Sequence, residues 1–397
     1  MQLDQVSVRL AMLGAQGLLS SPGESAHKQD LLPCIRSMGY LQIDTIQVIH
    51  RSQYLVLWSR LGDFNPAWLD EVHAERSLFE YHAHALCYLP IEDYPIFRGL
   101  MLFDDRVGND WREWASRHPQ VIERVRAVIE EKGPVCSADF DSPAISTDWG
   151  NAKQEKLALI QMWSAGDLMV PYRENFRRYF DLRERVLPSW DDINALNLDE
   201  AYRALILRAV KALGVASVDW IASYYYLRKG DIHRLLAEMI EKKQLEPVEV
   251  QGWEESFYLL PDQYDLVLAA ASGDLAANHT TLLSPFDPLI SDRSRTKSLF
   301  DYEYSFEAYT PVKKRQYGYF CLPILYQGKL VGRLDPKAHR KQSRMEIKFL
   351  HLEPGIDIDD ALISTLRETL IRFTRWHGMD DLTISRSSPS TLIEALA

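Results

Sequence analysis

The chain has 397 residues, 46% hydrophobic and 25% charged, with a formal net charge of −11. It is long enough for several domains and a sizeable core, and its composition is ordinary for a globular protein. No apolar run approaches the ~20 residues of a membrane span, the first residues do not read as a secretory leader, and Cys34, Cys87, Cys136 and Cys321 are too scattered for a disulfide framework or a cysteine zinc site. A reducing cytoplasm is the expected setting, with no membrane partner.

In chain order, helices are expected from Val6 to Leu18 and from Lys28 to Met38. The segment "LQIDTIQVIHRSQYLVLWSRLG" follows from Leu41. Read as a strand, it puts Leu41 and Ile43 on one face and Gln42 and Asp44 on the other. An amide and a carboxylate beside buried apolar residues are a cap, a satisfied polar pair, or a site. The cap reading has Asp44 opening a helix over the run from Thr45 to Leu61. In "EYHAHALCYLP", a strand through His82 and His84 would put both imidazoles on one face. With His73 or Glu80 they mimic metal-ligand spacing, but no obvious third ligand lies close, so satisfied histidines are expected and no metal.

A helix ending at Gly133-Pro134 is followed by a further helix and by strands Leu168–Pro171 and Phe176–Leu182, which flank a polar turn. The clearest unit comes next. Leu205, Ile206, Ala209, Val210 and Leu213 keep a helical spacing that Gly214 ends, and Ser217 caps the short helix "VDWIASYYYL". A third helix, "DIHRLLAEMIEKKQ", leads to the strands "LEPVEVQG" and "ESFYLL". Helix, short helix, helix and two-stranded wing is the order of a winged helix-turn-helix. After about residue 282 the texture becomes β-rich, with a hairpin at Gln327-Gly328, then a helix Ile358–His377 and a last strand "DDLTIS".

The expected fold is α+β: three tandem winged-helix units with a C-terminal β-barrel-like domain. The expected divisions are 1–130, 131–195, 196–262 and 263–397. Charge is unevenly spread. From Arg293 to Glu346 there are twelve Lys or Arg against five Asp or Glu, a basic patch on an acidic body. Its phosphate-binding candidates are Lys313, Lys314 and Arg315, interleaved with Tyr317 and Tyr319, and Arg333, Lys337, Arg340 and Lys341. Arg173, Arg177 and Arg178 fall in the second wing. Arg51 and Tyr54 follow the Gln42/Asp44 pair closely and are candidates for the lesion strand, Tyr54 being equally a core residue.

The segments "LQIDTIQVIHRSQYLVLWSRLG", "EYHAHALCYLP", "GPVCSADF", "LMVPYRENFRRYFDLRERVLP", "LLSPFDPLISDR" and "YTPVKKRQYGYFCLPILYQGKLVGRLDPKAHR" resemble, in order and spacing, the YcaQ-like winged-helix DNA glycosylases. The similarity runs from the N-terminus past residue 350. It implies three winged helices against a C-terminal β-barrel, excision of alkylated purines and unhooking of DNA interstrand crosslinks. It also implies a catalytic Gln-apolar-Asp signature, here Gln42-Ile43-Asp44. Where the family has Glu-Tyr-Trp-Ala-His-Glu-Ala, this chain has Glu80-Tyr81-His82-Ala83-His84-Ala85-Leu86, keeping the second His, His84, as a candidate for the active-site wall.

The chemistry suits those residues. A purine alkylated at N7 leaves as a neutral base, so a general acid is less necessary than in ordinary glycoside hydrolysis. What remains is to stabilise an oxocarbenium-like sugar and to aim a water, for which a carboxylate and an amide suffice. No lysine amine is required, so a monofunctional glycosylase without cofactor is expected, a monomer acting on alkylated or crosslinked double-stranded DNA. The competing classes are a winged-helix transcriptional regulator without catalysis and a metal-dependent hydrolase built on the histidines.

Overall fold

The computed structural model describes residues 2–23, 25–147 and 150–396. The chain divides into two compact units, Met1–Asn65 with Leu207–Ala397, and Pro66–Ile206.

In the first unit, Asp4 caps the helix Gln5–Ala15 by accepting the Ser7 N–H at 2.7 Å. The strand before it, Gln2–Leu3, pairs parallel with Glu246–Val250, which pairs antiparallel with Phe257–Leu259, and that with Val215–Ser217. The expected wing is thus the centre of a four-stranded sheet whose edge comes from the other end of the sequence. Ser217 caps the helix Val218–Tyr225 through its hydroxyl, as expected, and the next helix is Lys229–Glu241.

The larger sheet has six strands. Thr280–Leu282, Leu322–Tyr326, Lys329–His339 and Arg344–Leu352 are successively antiparallel, and Asp381–Ile384 and Ser387–Ser388 lie parallel to the last. The hairpin at Gln327-Gly328 is present, with φ of 45° and 78° in the two-residue turn that matches strand twist. Pro336 sits beside a register shift between Asp335 and Pro336, where a missing N–H is tolerated. The helix Asp360–Trp376, capped by Asp359, buries Leu362, Leu366, Leu370 and Phe373 at three- and four-residue spacing. Its C-terminal end packs on the helix Ser52–Leu61: Trp58 meets Phe373 edge-on at 4.9 Å, and the Trp376 indole donates to the Phe64 carbonyl at 2.8 Å.

Deeper in the same unit, Arg60 forks onto Asp287 at 2.6 and 2.9 Å and also donates to the Gln16 side chain and carbonyl. Both members of the ion pair are buried. This ties the helix after the Gln42/Asp44 segment to the connection that follows Thr280–Leu282, the first strand of the large sheet.

Among its described residues the second unit holds three antiparallel strand pairs among helices, one of them Ala144–Thr147 with Gly150–Lys153. Leu78–His82 pairs with Leu86–Pro90, and Leu168–Glu174 with Arg177–Leu182 through a turn in which Asn175 and Phe176 take positive φ. The helix Pro119–Lys132 ends at Gly133, as the sequence indicates. Two expectations fail here. The first strand ends at His82 and His84 lies in the turn, so the imidazoles do not share a strand face. Arg173 is no free surface cation, because Glu80 takes its guanidinium at 2.6 Å through both oxygens in a buried pair.

Candidate active site

The Gln42/Asp44 segment is held from below. The helix Lys28–Met38 stops at Gly39, whose φ is 75° and where a Cβ would stand 2.3 Å from the Tyr225 hydroxyl. Only glycine fits there. Tyr224 donates to the Met38 carbonyl at 2.7 Å, and the Tyr40 ring packs on Tyr224 and Tyr225 at 4.9 and 5.8 Å. From this anchor the chain runs extended: Leu41 and Ile43 are buried, while Gln42 and Asp44 are half-buried. The alternation read from the sequence is therefore kept, although ladder hydrogen bonding covers only Leu41–Gln42.

Asp44 does not cap a helix. The chain stays irregular through residue 50, and the helix begins at Ser52 with Arg51 as its N-cap. Instead the Asp44 carboxylate accepts the Ile46 N–H at 3.0 Å, a local two-residue turn that fixes its direction. Its backbone N–H donates to Gln53 Oε1 at 3.3 Å. Burial raises the Asp44 pKa above the ordinary value, and the N–H groups of Ile46 and Thr45 only partly offset this.

Gln53 was not singled out by sequence. It is 0% exposed, and among the described residues its Nε2 has no hydrogen-bond partner. A polar residue in the apolar run "SQYLVLWSRL" was the available signal.

Around His50 the structure gathers several other groups. Its ring lies 5.0 Å from both Tyr54 and Trp376 and 5.5 Å from His377. Burial, then the charges of Arg340 and Arg51, push the His50 pKa down to about 4. His377 faces the Phe373 carbonyl with Nδ1 at 2.7 Å, so Nδ1–H is the donor and Nε2 is a buried acceptor with no partner among the described residues. Burial pushes its pKa down to about 3, against the opposing effect of that bond. Both imidazoles are neutral near neutral pH, which leaves the two arginines as the charged groups about His50.

Of the basic candidates, Arg340 donates to the Ile49 carbonyl at 2.6 Å, joining the tip of the hairpin Lys329–His339/Arg344–Leu352 to the segment after Asp44. Lys337 is exposed on that hairpin and Arg51 is half-buried at the helix start. Lys313 and Lys314 are exposed on a separate loop. Of the two readings of Tyr54 the core one holds, since it is 8% exposed. Two candidates sit elsewhere than expected. Arg315 is folded back, its Nε donating to the Thr310 carbonyl at 2.9 Å and its guanidinium over the Tyr319 ring at 4.9 Å. Arg333 is 2% exposed; it binds Glu353 at 2.6 Å and lies between the Tyr302 and Tyr317 rings, so it holds the sheet together. His84 lies in the second unit's hairpin turn. Among the described residues no group of three or more His, Cys, Asp or Glu converges as a metal site would, and no helix is long and apolar enough to cross a membrane.

A half-buried carboxylate of fixed direction, beside an amide and followed by arginines, can orient a water, accept its proton and stabilise adjacent positive charge. The overall architecture matches that of a DNA glycosylase, the Streptomyces sahachiroi DNA glycosylase AlkZ. The TM-score is 0.64 over 98% of this chain and 100% of that one, at 15% identity, a likeness of fold: mixed α and β with a half-barrel sheet. A family profile described as DNA glycosylase AlkZ-like matches residues 35–376, most of the chain and all of the Gln42/Asp44 segment. The chain belongs to that family, as the resemblance of its motifs implies, and is a DNA glycosylase.

Proposed function

We propose that this glycosylase hydrolyses the N-glycosidic bond of cationic, N7-alkylated purines in duplex DNA and unhooks interstrand crosslinks formed through such purines. Asp44 stabilises the oxocarbenium-like sugar and takes the proton of the attacking water, and Gln42 holds that water in line. The observation that carries this reading is the Asp44 carboxylate, half-buried with a raised pKa and pinned by the Ile46 N–H. A basic group tuned upward by partial desolvation is a better proton acceptor than an exposed aspartate.

The neutral leaving group removes the need for a second acidic residue, and because the chemistry requires no lysine amine the product is an intact abasic site. Arg51, Lys337 and Arg340 would meet the phosphates on either side of the lesion, with Lys313 and Lys314 as a further contact. The helix–strand–helix–helix–wing order at 196–262 supports the reading of three winged-helix units, the others at 1–130 and 131–195, with the barrel-like domain at 263–397. The protein acts as a cytoplasmic monomer, without cofactor.

The test uses two duplexes, one with a single N7-methylguanine and one with a nitrogen-mustard crosslink between guanines. The reading expects alkali-labile abasic sites in the first, no strand breakage before alkali, and separated strands from the second. Intact methylated duplex after prolonged incubation would reject it.

A further inference from the structure

The loop from Glu307 to Phe320 lies outside the site described above, yet its backbone is closely held by side chains. The carboxylate of Glu307, itself buried, accepts the N–H groups of Gln316, Tyr317 and Gly318 at 2.9–3.1 Å. That of Asp335 accepts the next two, Tyr319 and Phe320, at 3.2 and 3.1 Å. Five consecutive backbone donors are thus held by two carboxylates. The fit is close: a Cβ on Gly318, whose φ is 154°, would fall 2.3 Å from the Asp335 carboxylate. Arg315 folds back onto the Thr310 carbonyl, and the Lys314 N–H donates to the Pro311 carbonyl at 2.8 Å.

On this fixed frame the loop displays two large apolar side chains in water. Tyr309 is 84% exposed and Val312 is 74% exposed. The charged side chains exposed beside them are Lys313 and Lys314, whereas the acidic residue of the loop, Glu307, is turned inward. A rigid loop that exposes an aromatic and a branched apolar side chain, flanked by cations, has the chemistry of a wedge for stacked bases. The ring stacks on or between base faces while the ammonium groups meet phosphates. Rigidity matters because an ordered prong loses little conformational entropy when it inserts.

We propose that the Glu307–Phe320 loop is a DNA-inserting prong, in which Tyr309 and Val312 unstack the duplex and Lys313 and Lys314 hold the adjacent backbone. The proposal rests on duplex DNA being the substrate; it is independent of which base is released.

The test uses the full chain and a short duplex carrying 2-aminopurine beside a tetrahydrofuran abasic site, whose fluorescence rises on unstacking. Wild type should raise the fluorescence on binding. Tyr309→Ala should abolish the rise and weaken binding at least about five-fold, with an unchanged melting temperature, because so exposed a side chain fills no core. Tyr309→Phe should behave as wild type. The double change Lys313→Ser and Lys314→Ser should keep the fluorescence rise and lower the slope of log Kd against log salt by about two. A Tyr309→Ala protein that binds and unstacks as wild type does would overturn the proposal and assign the loop to a partner other than DNA. The proposed chemistry is read separately, as base release from methylated duplex by wild type. If that fails while the prong variants lose unstacking, the substrate reading falls and the prong stands.

Discussion

Replacing Gln53 by methionine removes one hydrogen bond beside Asp44 while keeping volume and burial nearly constant. In the native protein Gln53 Oε1 accepts the Asp44 N–H at 3.3 Å, and the buried Nε2 has no partner among the described residues. An unsatisfied buried donor costs about 1–3 kcal/mol. The substitution leaves the Asp44 N–H without its acceptor but removes the orphaned amide, so the two effects oppose each other. Asp44 is half-buried, and water reaching its N–H lowers the first cost. The net change in stability should lie within about 1 kcal/mol, a melting shift of roughly 1 °C for a protein of this size.

Catalysis should respond more strongly. Losing the Gln53 anchor lets the residue 43–46 turn move, and a displacement of about 1 Å of a reacting group is worth up to ~100-fold in rate. Single-turnover base release from N7-methylguanine duplex should fall about 10- to 100-fold, with the melting curve nearly unmoved. Gln53→Glu, which keeps an acceptor oxygen, should recover part of the rate and move its acidic limb to higher pH, because a second carboxyl beside Asp44 opposes its ionisation. A Gln53→Met enzyme with wild-type rate and wild-type melting would refute a positioning role for Gln53.

Further outcomes follow from other contacts. Because burial raises the Asp44 pKa, the rate of base release should decline, as pH falls, above the ordinary aspartate value of 3.8; a profile flat down to that value, after subtracting spontaneous depurination, would show that Asp44 is not the titrating base. His377 is neutral in the folded protein down to about 3 but titrates near 6.5 when unfolded, so between these values the unfolded state binds more protons. His377 should therefore take away stability in urea unfolding as pH falls through that window, by about 1.4 kcal/mol per pH unit at most, beside the like contributions of His50 and His279. His377→Phe should flatten the slope, and an unchanged slope would refute the assignment. Arg60→Met strands the buried Asp287 carboxylate and should cost about 3–5 kcal/mol in urea unfolding; adding Asp287→Asn should recover much of it, and no recovery would mean that the charge is not the cause.

What could be read from the sequence was set by local chemistry. The Gln327-Gly328 hairpin, the Ser217 cap, the stop at Gly133 and the helix Lys28–Met38 depend on neighbouring residues, and all stand where expected. The alternation of Gln42 and Asp44 with buried neighbours was likewise visible, since period two survives even where the strand ladder ends. The misreadings have long-range causes. Arg333 and Arg173 read as surface cations because their partners, Glu353 and Glu80, lie 20 and 93 residues away. The helix after Asp44 starts late because residues through 50 are held by tertiary contacts: Arg340 on the Ile49 carbonyl, and Trp376 and His377 about His50. Strand Gln2–Leu3 joins a sheet formed some 245 residues later, which no local pattern announces. The N–H clamps of Glu307 and Asp335 belong to the same class: each carboxylate looks like a surface charge until the loop folds onto it.

The central claim is that the Asp44 carboxylate performs the chemistry, and Asp44→Asn tests it most directly. Asparagine keeps the shape and can still accept the Ile46 N–H, so the turn, the fold and DNA binding should be preserved while the charge and the proton acceptor are lost. On duplex with a single N7-methylguanine, the account predicts base release slowed about 100-fold or more, with Kd for the same duplex within about two-fold of wild type. Base release at the wild-type rate by a normally folded Asp44→Asn protein would contradict it.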